Sequence, residues 1–233
     1  MRRRIGFFAA VFLLALVATL PLRVAVGWLG LDEKGLAARE AAGSVWSGRL
    51  SEAQLGRVPL GDLSARLRVL PLLIGQARVA LARPGELDPF EGALTAMPGG
   101  FGVDDLTGRL RVAALFAPLP ISAIELEGVS AGFSGGRCSR AEGQVRAMLA
   151  GEIAGIGLPS GFTGNVACAG DAVLIPLASQ TGMERLALRL FADGRYRIDL
   201  NIRPTDETMR AALTAAGFAP ANGGFARHID GRF

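Results

Sequence analysis

Gly194-Arg195-Tyr196-Arg197-Ile198-Asp199-Leu200-Asn201-Ile202-Arg203 decides the fold class of this chain. Tyr196, Ile198, Leu200 and Ile202 fall on one side of an extended backbone, and Arg195, Arg197, Asp199, Asn201 and Arg203 on the other. Successive side chains of a strand point to opposite faces, whereas a helical period of 3.6 residues cannot generate such alternation. The same period of two runs through Asp62 to Val69, with Leu63, Ala65, Leu67 and Val69 apolar, and through Leu106 to Val112, with Thr107, Arg109 and Arg111 on the wet side. Weaker copies cover Gln76–Leu81, Ile124–Phe133, Gly143–Leu149, Phe162–Cys168, Val173–Leu177 and Leu186–Leu190. Arg83-Pro84-Gly85, Pro98-Gly99-Gly100, Ser134-Gly135-Gly136, Pro159-Ser160-Gly161 and Asp193-Gly194 punctuate them as turns. Spacing this short implies hairpins and antiparallel pairing. With 32 glycines and 6% aromatic residues, the composition also favours short strands and turns over long helices.

The expected fold is therefore mainly β, a curved or sandwich-like antiparallel sheet. One apolar face per strand requires the sheet to fold over itself, meet a second sheet or line a groove, and the pattern does not choose among these. One helix is expected late in the chain. Met209, Ala212, Leu213 and Ala216 recur at helical spacing behind Thr205, a suitable N-cap, and the acids Asp206 and Glu207 suit the positive end of the helix dipole. Gly217 ends it, and Phe225 to Phe233 reads as a terminal strand returning to the sheet.

Ahead of this body, Ile5 to Leu22 carries eighteen residues without a charge, followed by Arg23 and a second apolar stretch, Val24 to Leu31. Eighteen helical residues span about 27 Å, close to the thickness of the hydrocarbon core. A cleavable signal peptide would need small residues at −3 and −1, but cleavage after Ala18 or Ala25 puts Leu16 or Arg23 at −3. The reading is a single retained transmembrane helix. Arg2, Arg3 and Arg4 hold the N-terminus in the cytoplasm by the positive-inside rule. Residues 1–31 are then a short cytoplasmic tail and anchor in lipid, and 32–233 a β-rich periplasmic domain on a cell inner membrane.

The formal charge is only +4, and three of those charges lie in the N-terminal arginines. Neither a basic face nor interleaved aromatics supports nucleic-acid binding. Cys138 and Cys168 are the only two cysteines, and the periplasm oxidises thiols, so a disulfide is expected. Closing a loop of about thirty residues contributes on the order of 3 kcal/mol. The sole histidine, His228, is far from both in sequence, which disfavours a metal site. It reads as a surface residue on a strand, with no paired nucleophile. No serine sits in a Gly-x-Ser-x-Gly elbow. Gly155-Ile156-Gly157 is not a nucleotide loop, since the next glycine, Gly161, comes one position late and Pro159 would break the following helix. No catalytic residue, cofactor or ATP site is expected.

Gly43-Ser44-Val45-Trp46-Ser47-Gly48-Arg49-Leu50 is the most distinctive stretch. Its Gly-Ser/Thr-Val-Trp-x-Gly pattern, filled by Gly43, Val45, Trp46 and Gly48, resembles the N protein of the type II secretion system. The similarity continues through Gly136-Arg137-Cys138, Gly164-Asn165-Val166-Ala167-Cys168 and Asp193-Gly194-Arg195-Tyr196 to Gly217-Phe218 and Ile229-Asp230-Gly231. That family is similar in having a cytoplasmic tail, one membrane helix and a β-rich periplasmic body. The resemblance implies a non-enzymatic accessory subunit in a Gram-negative cell that supports export of folded periplasmic proteins. Its partners would be other inner-membrane subunits or the outer-membrane channel, with Trp46 a packing anchor or a partner contact. The alternative is a periplasmic lipid-binding or lipid-transfer module with an apolar groove, since one-faced strands also resemble the curved sheets of lipid-handling proteins.

Overall fold

The computed structural model of the chain describes residues 36–56, 58–83, 85, 89–113, 121–149, 152–153, 156–157, 161–221 and 223–232, together with 12, 15 and 19–24. Most of the expected anchor, Ile5–Leu22, and the turn at Pro159-Ser160 lie outside these residues. Among the described residues no helix is long and apolar enough to cross a membrane.

The strands begin with β1 (Leu36–Ala37), β2 (Glu40–Ser44), β3 (Ser47–Leu55) and β4 (Val58–Arg68). A short helix, α1 (Val69–Leu72), leads to β5 (Ala77–Arg83), β6 (Phe90–Met97) and β7 (Gly100–Arg111). The long pair β8 (Ile121–Ser134) and β9 (Arg137–Leu149) follows, then the small β10 (Glu152–Ile153) and β11 (Ile156–Gly157). Next come β12 (Gly161–Asn165), β13 (Ala167–Ala169), β14 (Ala172–Ser179), β15 (Glu184–Phe191) and β16 (Arg195–Ile202). Helix α2 (Glu207–Ala215) precedes β17 (Ala219–Ala221) and β18 (Gly224–Arg232).

Among the described residues sixteen strands form a single sheet that from β3 to β18 follows chain order, β3-β4-β5-β6-β7-β8-β9-β12-β14-β15-β16-β18, and every strand pair in it is antiparallel. The only other sheet among the described residues is the two-stranded β10-β11 pair, so the sandwich alternative gives way to one long meander. Its core nevertheless runs from Val58 through Val129, Val145, Phe162 and Leu188 to Ile198, Leu200 and Ile202. Without a second large sheet, such burial requires the sheet to curve over its own apolar face, as the native strand twist favours. Leu213 of α2 and Phe218 after it complete that core.

The strand over residues 62–69 stops one residue early. Val69 starts α1 and is exposed, because Pro71 lacks the N–H a ladder needs and the chain turns there. Residues 162–168 form two strands rather than one: Val166 breaks the ladder, its N–H donating instead to the Gly143 carbonyl at 2.9 Å. The N-cap of α2 is Asp206 in place of Thr205. An Asp206 Oδ1 accepts from the Met209 N–H at 2.7 Å, satisfying an otherwise orphaned donor, and Gly217 closes the helix with φ +80°.

Candidate functional site at the loop end of the sheet

An antiparallel meander sends alternate connections to opposite ends. The turns after β2, β4, β6 and β8 share one end, and that end collects the family motif, α1 and the flanks of both cysteines. Val45 and Trp46 form the two-residue turn between β2 and β3, which pair from Glu40↔Ser51 to Ser44↔Ser47. Gly43 adopts φ +84°, and a Cβ there would lie 2.6 Å from the Ser47 carbonyl, so the bend requires glycine. Val45 is buried and Trp46 half-buried; the aliphatic residue, not the indole, fills the interior position.

The described end of the apolar N-terminal segment meets this turn. Pro21 forms a bridge with Ser44, and the Val45 N–H donates to the Leu20 carbonyl at 3.0 Å. Leu67 of β4 in turn donates to the Val45 carbonyl at 3.0 Å. Leu22 is buried with Leu50, Ala53, Leu63 and Phe90. A Cβ on Gly48 would come within 2.5 Å of a Leu22 methyl and 2.9 Å of the Ser44 carbonyl, and the backbone contact across the hairpin accounts for the second motif glycine. The last residues of the expected span therefore face protein rather than lipid.

Cys138, at the start of β9, and Cys168, in β13, are joined by a disulfide with Cα atoms 5.6 Å apart. The bond ties β9 to β13, which follows it in chain order after β10, β11 and β12.

The polar face carries an ionic cluster around one buried carboxylate. Arg78, Thr95, Gly102, Gly132 and Arg140 lie in one row across β5 to β9. Asp104, two residues from Gly102, is buried and binds Arg140; it accepts from Thr95 Oγ1 at 2.5 Å and lies 3.7 Å from Arg78. Burial pushes its carboxyl pKa up, but the Thr95 hydrogen bond and the Arg140 and Arg78 guanidiniums outweigh that and hold it below the ordinary 3.8. The two glycines leave a shallow cleft of about 330 Å³ above the row. His228 stands on the same face farther along, with Nδ1 2.5 Å from Asp199, a carboxylate also bound by Arg189. Among the described residues no three metal-ligating side chains converge.

The motif turn, the disulfide and the ordered run of short motifs are thus held by a one-sheet meander. The family model for type II secretion system protein N matches residues 34–227. The chain belongs to that family. No curated protein and no solved structure matches it. Membership makes it an accessory component of type II secretion. Sequence reasoning found the motif and the cysteines but missed the Asp104 cluster, whose members come from four strands, and the contact of Leu20–Leu22 with the motif turn.

Proposed function

We propose that the chain is a non-enzymatic subunit of the type II secretion system, retained in the inner membrane by its N-terminal segment, with residues 32–233 in the periplasm. In this role it supports passage of folded periplasmic proteins across the outer membrane. The observation that carries the reading is the family match over residues 34–227. The disulfide is in keeping with an oxidising compartment. Trp46, half-buried beside the place where the N-terminal segment arrives, supports a contact with another inner-membrane subunit; the outer-membrane channel is the other candidate partner. Deleting the gene should leave exported proteins trapped in the periplasm with envelope lipids unchanged. Trp46→Ala should reproduce that defect at normal protein level and with the disulfide formed. Normal export from the deletion strain would refute the reading.

One observation favours the second reading, a lipid-binding module. Leu94 and Phe101 are 45% and 50% exposed, although Leu94↔Val103 and Phe101↔Phe133 belong to the apolar rows of β6 to β8. Phospholipid co-purifying with the full chain, together with normal export from the deletion strain, would establish it.

A further inference from the structure

The connection after β4 reads Val69-Leu70-Pro71-Leu72-Leu73-Ile74-Gly75. Leu70, Leu73 and Ile74 are 79%, 78% and 73% exposed, and Val69 and Leu72 are exposed as well. Met97 and Phe101, at the neighbouring β6-β7 hairpin, add exposed apolar surface at the same end. Met183, in the β14-β15 turn, is the one such residue at the opposite end among the described residues. Six apolar residues in a row at the tip of a connection cost solubility and bury nothing in the free domain.

Three further features say what covers them. The apolar N-terminal segment reaches the domain at this end: Leu20 is hydrogen-bonded to Val45, and Val45 to Leu67, two residues before Val69. Four N–H groups of the turn are satisfied within it. Leu73 donates to Leu70, Ile74 and Gln76 to Pro71, and Gly75 to Leu72, at 2.9–3.2 Å. Each donor already paired lowers the cost of bringing the turn to the head-group region. Finally, Arg68 and Arg78 are direct cross-strand partners at the base of the turn and line a recess with Val69, Leu70 and Pro71. Like charges facing each other are unfavourable unless an anion lies between them. Arg78 also reaches Asp104 at 3.7 Å and Asp105 at 3.9 Å, whereas Arg68 has no ion-pair partner among the described residues.

We infer that this rim is a second membrane contact: the 69–74 turn dips into the periplasmic leaflet of the inner membrane, with Met97 and Phe101 beside it, and Arg68 and Arg78 meet anionic phospholipid head groups. The inference rests on the retained anchor proposed above. A single helix leaves a domain free to pivot, whereas a helix plus a second apolar foot fixes the sheet upright on the bilayer. Amphipathic interfacial contacts of this kind combine buried apolar area with cation attraction to anionic lipid.

The test uses the full chain in vesicles of phosphatidylethanolamine and phosphatidylglycerol, with a nitroxide on Leu73→Cys or, as control, Met183→Cys. Cys138 and Cys168, being bonded to each other, do not take the label. The label at 73 should relax readily with oxygen and poorly with a water-soluble nickel chelate, and the label at 183 should do the reverse. Making Arg68→Gln should lower the membrane-inserted to water-exposed ratio at 73 about fivefold, the loss of one cation near an anionic surface, and replacing phosphatidylglycerol by phosphatidylcholine, which removes the anionic partner of both Arg68 and Arg78, about thirtyfold. A label at 73 as accessible to nickel as the one at 183 overturns the inference, and so does one shielded from both reagents, which marks a protein contact or a second copy. Extraction at high pH separates the two readings. Chain that stays in the membrane with a water-exposed rim keeps the anchor and removes the foot, whereas chain released at high pH after showing a lipid-exposed label keeps the foot and removes the anchor.

Discussion

Replacing Ile198 by Asp and, separately, Leu94 by Asp asks whether the apolar face is a closed core or an open groove. Ile198 is 1% exposed, pairs with Leu188 and Ile229 across β15 and β18, and lies in the cluster that α2 completes. Losing its burial costs about 2 kcal/mol. The new carboxylate must then ionise without a partner or bind a proton at neutral pH, at a cost of several kcal/mol more. Together these consume most of the roughly 5–15 kcal/mol that stabilises a domain. Ile198→Asp should therefore be unfolded or nearly so in the absence of denaturant. Leu94 is close to half exposed, and an aspartate there keeps its hydration, so the change should stay within about 1 kcal/mol. Urea unfolding of the full chain in detergent, followed by far-ultraviolet circular dichroism, measures both. A wild-type midpoint for Ile198→Asp would mean that water reaches the face between β15 and β18, and the closed-core reasoning would be wrong. Collapse of Leu94→Asp would mean that the β5–β7 region is covered.

Asp104→Asn should destabilise the chain by about 1–3 kcal/mol at neutral pH, because it removes charge-assisted bonds from Arg140 and Arg78. Since the folded-state pKa is depressed, that contribution is complete above 3.8 and declines as pH falls through the folded value; urea midpoints of wild type and variant should converge below pH 3.8 and stay parallel above it. Reducing the Cys138–Cys168 bond should lower stability by about 3 kcal/mol, read as a fall in Tm with and without reductant. Asp206→Ala should remove about 1 kcal/mol through loss of the cap on Met209, whereas Thr205→Ala should be close to neutral in the same urea titration.

The alternation in Gly194–Arg203 was sufficient to place β16 and the face each residue takes, because a two-residue period is a local property of the backbone. The same logic placed Leu63 and Ala65 in the interior. It failed at Val69, where alternation continues by accident into a turn governed by Pro71. It also could not choose between a sandwich and a single meander, since both demand one apolar face per strand and differ only in long-range curvature. The Asp104 cluster was illegible for a related reason. The Asp104-Asp105 pair reads from sequence as turn acids, whereas both lie within β7, and only the register of β5 to β9 brings Asp104 to Arg78, Thr95 and Arg140. Thr205 and Asp206 are both acceptable caps by residue type; the helix begins one residue later than periodicity alone implied.

The motif acquires a physical meaning from what meets at it. Gly43 turns the chain, Val45 fills the interior and links Leu20 to Leu67 through its own N–H and carbonyl, and Gly48 leaves room for Leu22. These are requirements of a junction between the N-terminal segment, the β2-β3 hairpin and β4. Trp46 is half-buried while its neighbour Val45 occupies the core position. A large aromatic held on a two-residue turn loses little further conformational freedom on binding and offers apolar area with a polar N–H, properties that enrich tryptophan at protein contacts and at membrane interfaces. The glycines and valine of the motif thus account for how the junction is built, and the proposed contact with a neighbouring subunit rests on Trp46, whose exchange for alanine tests it.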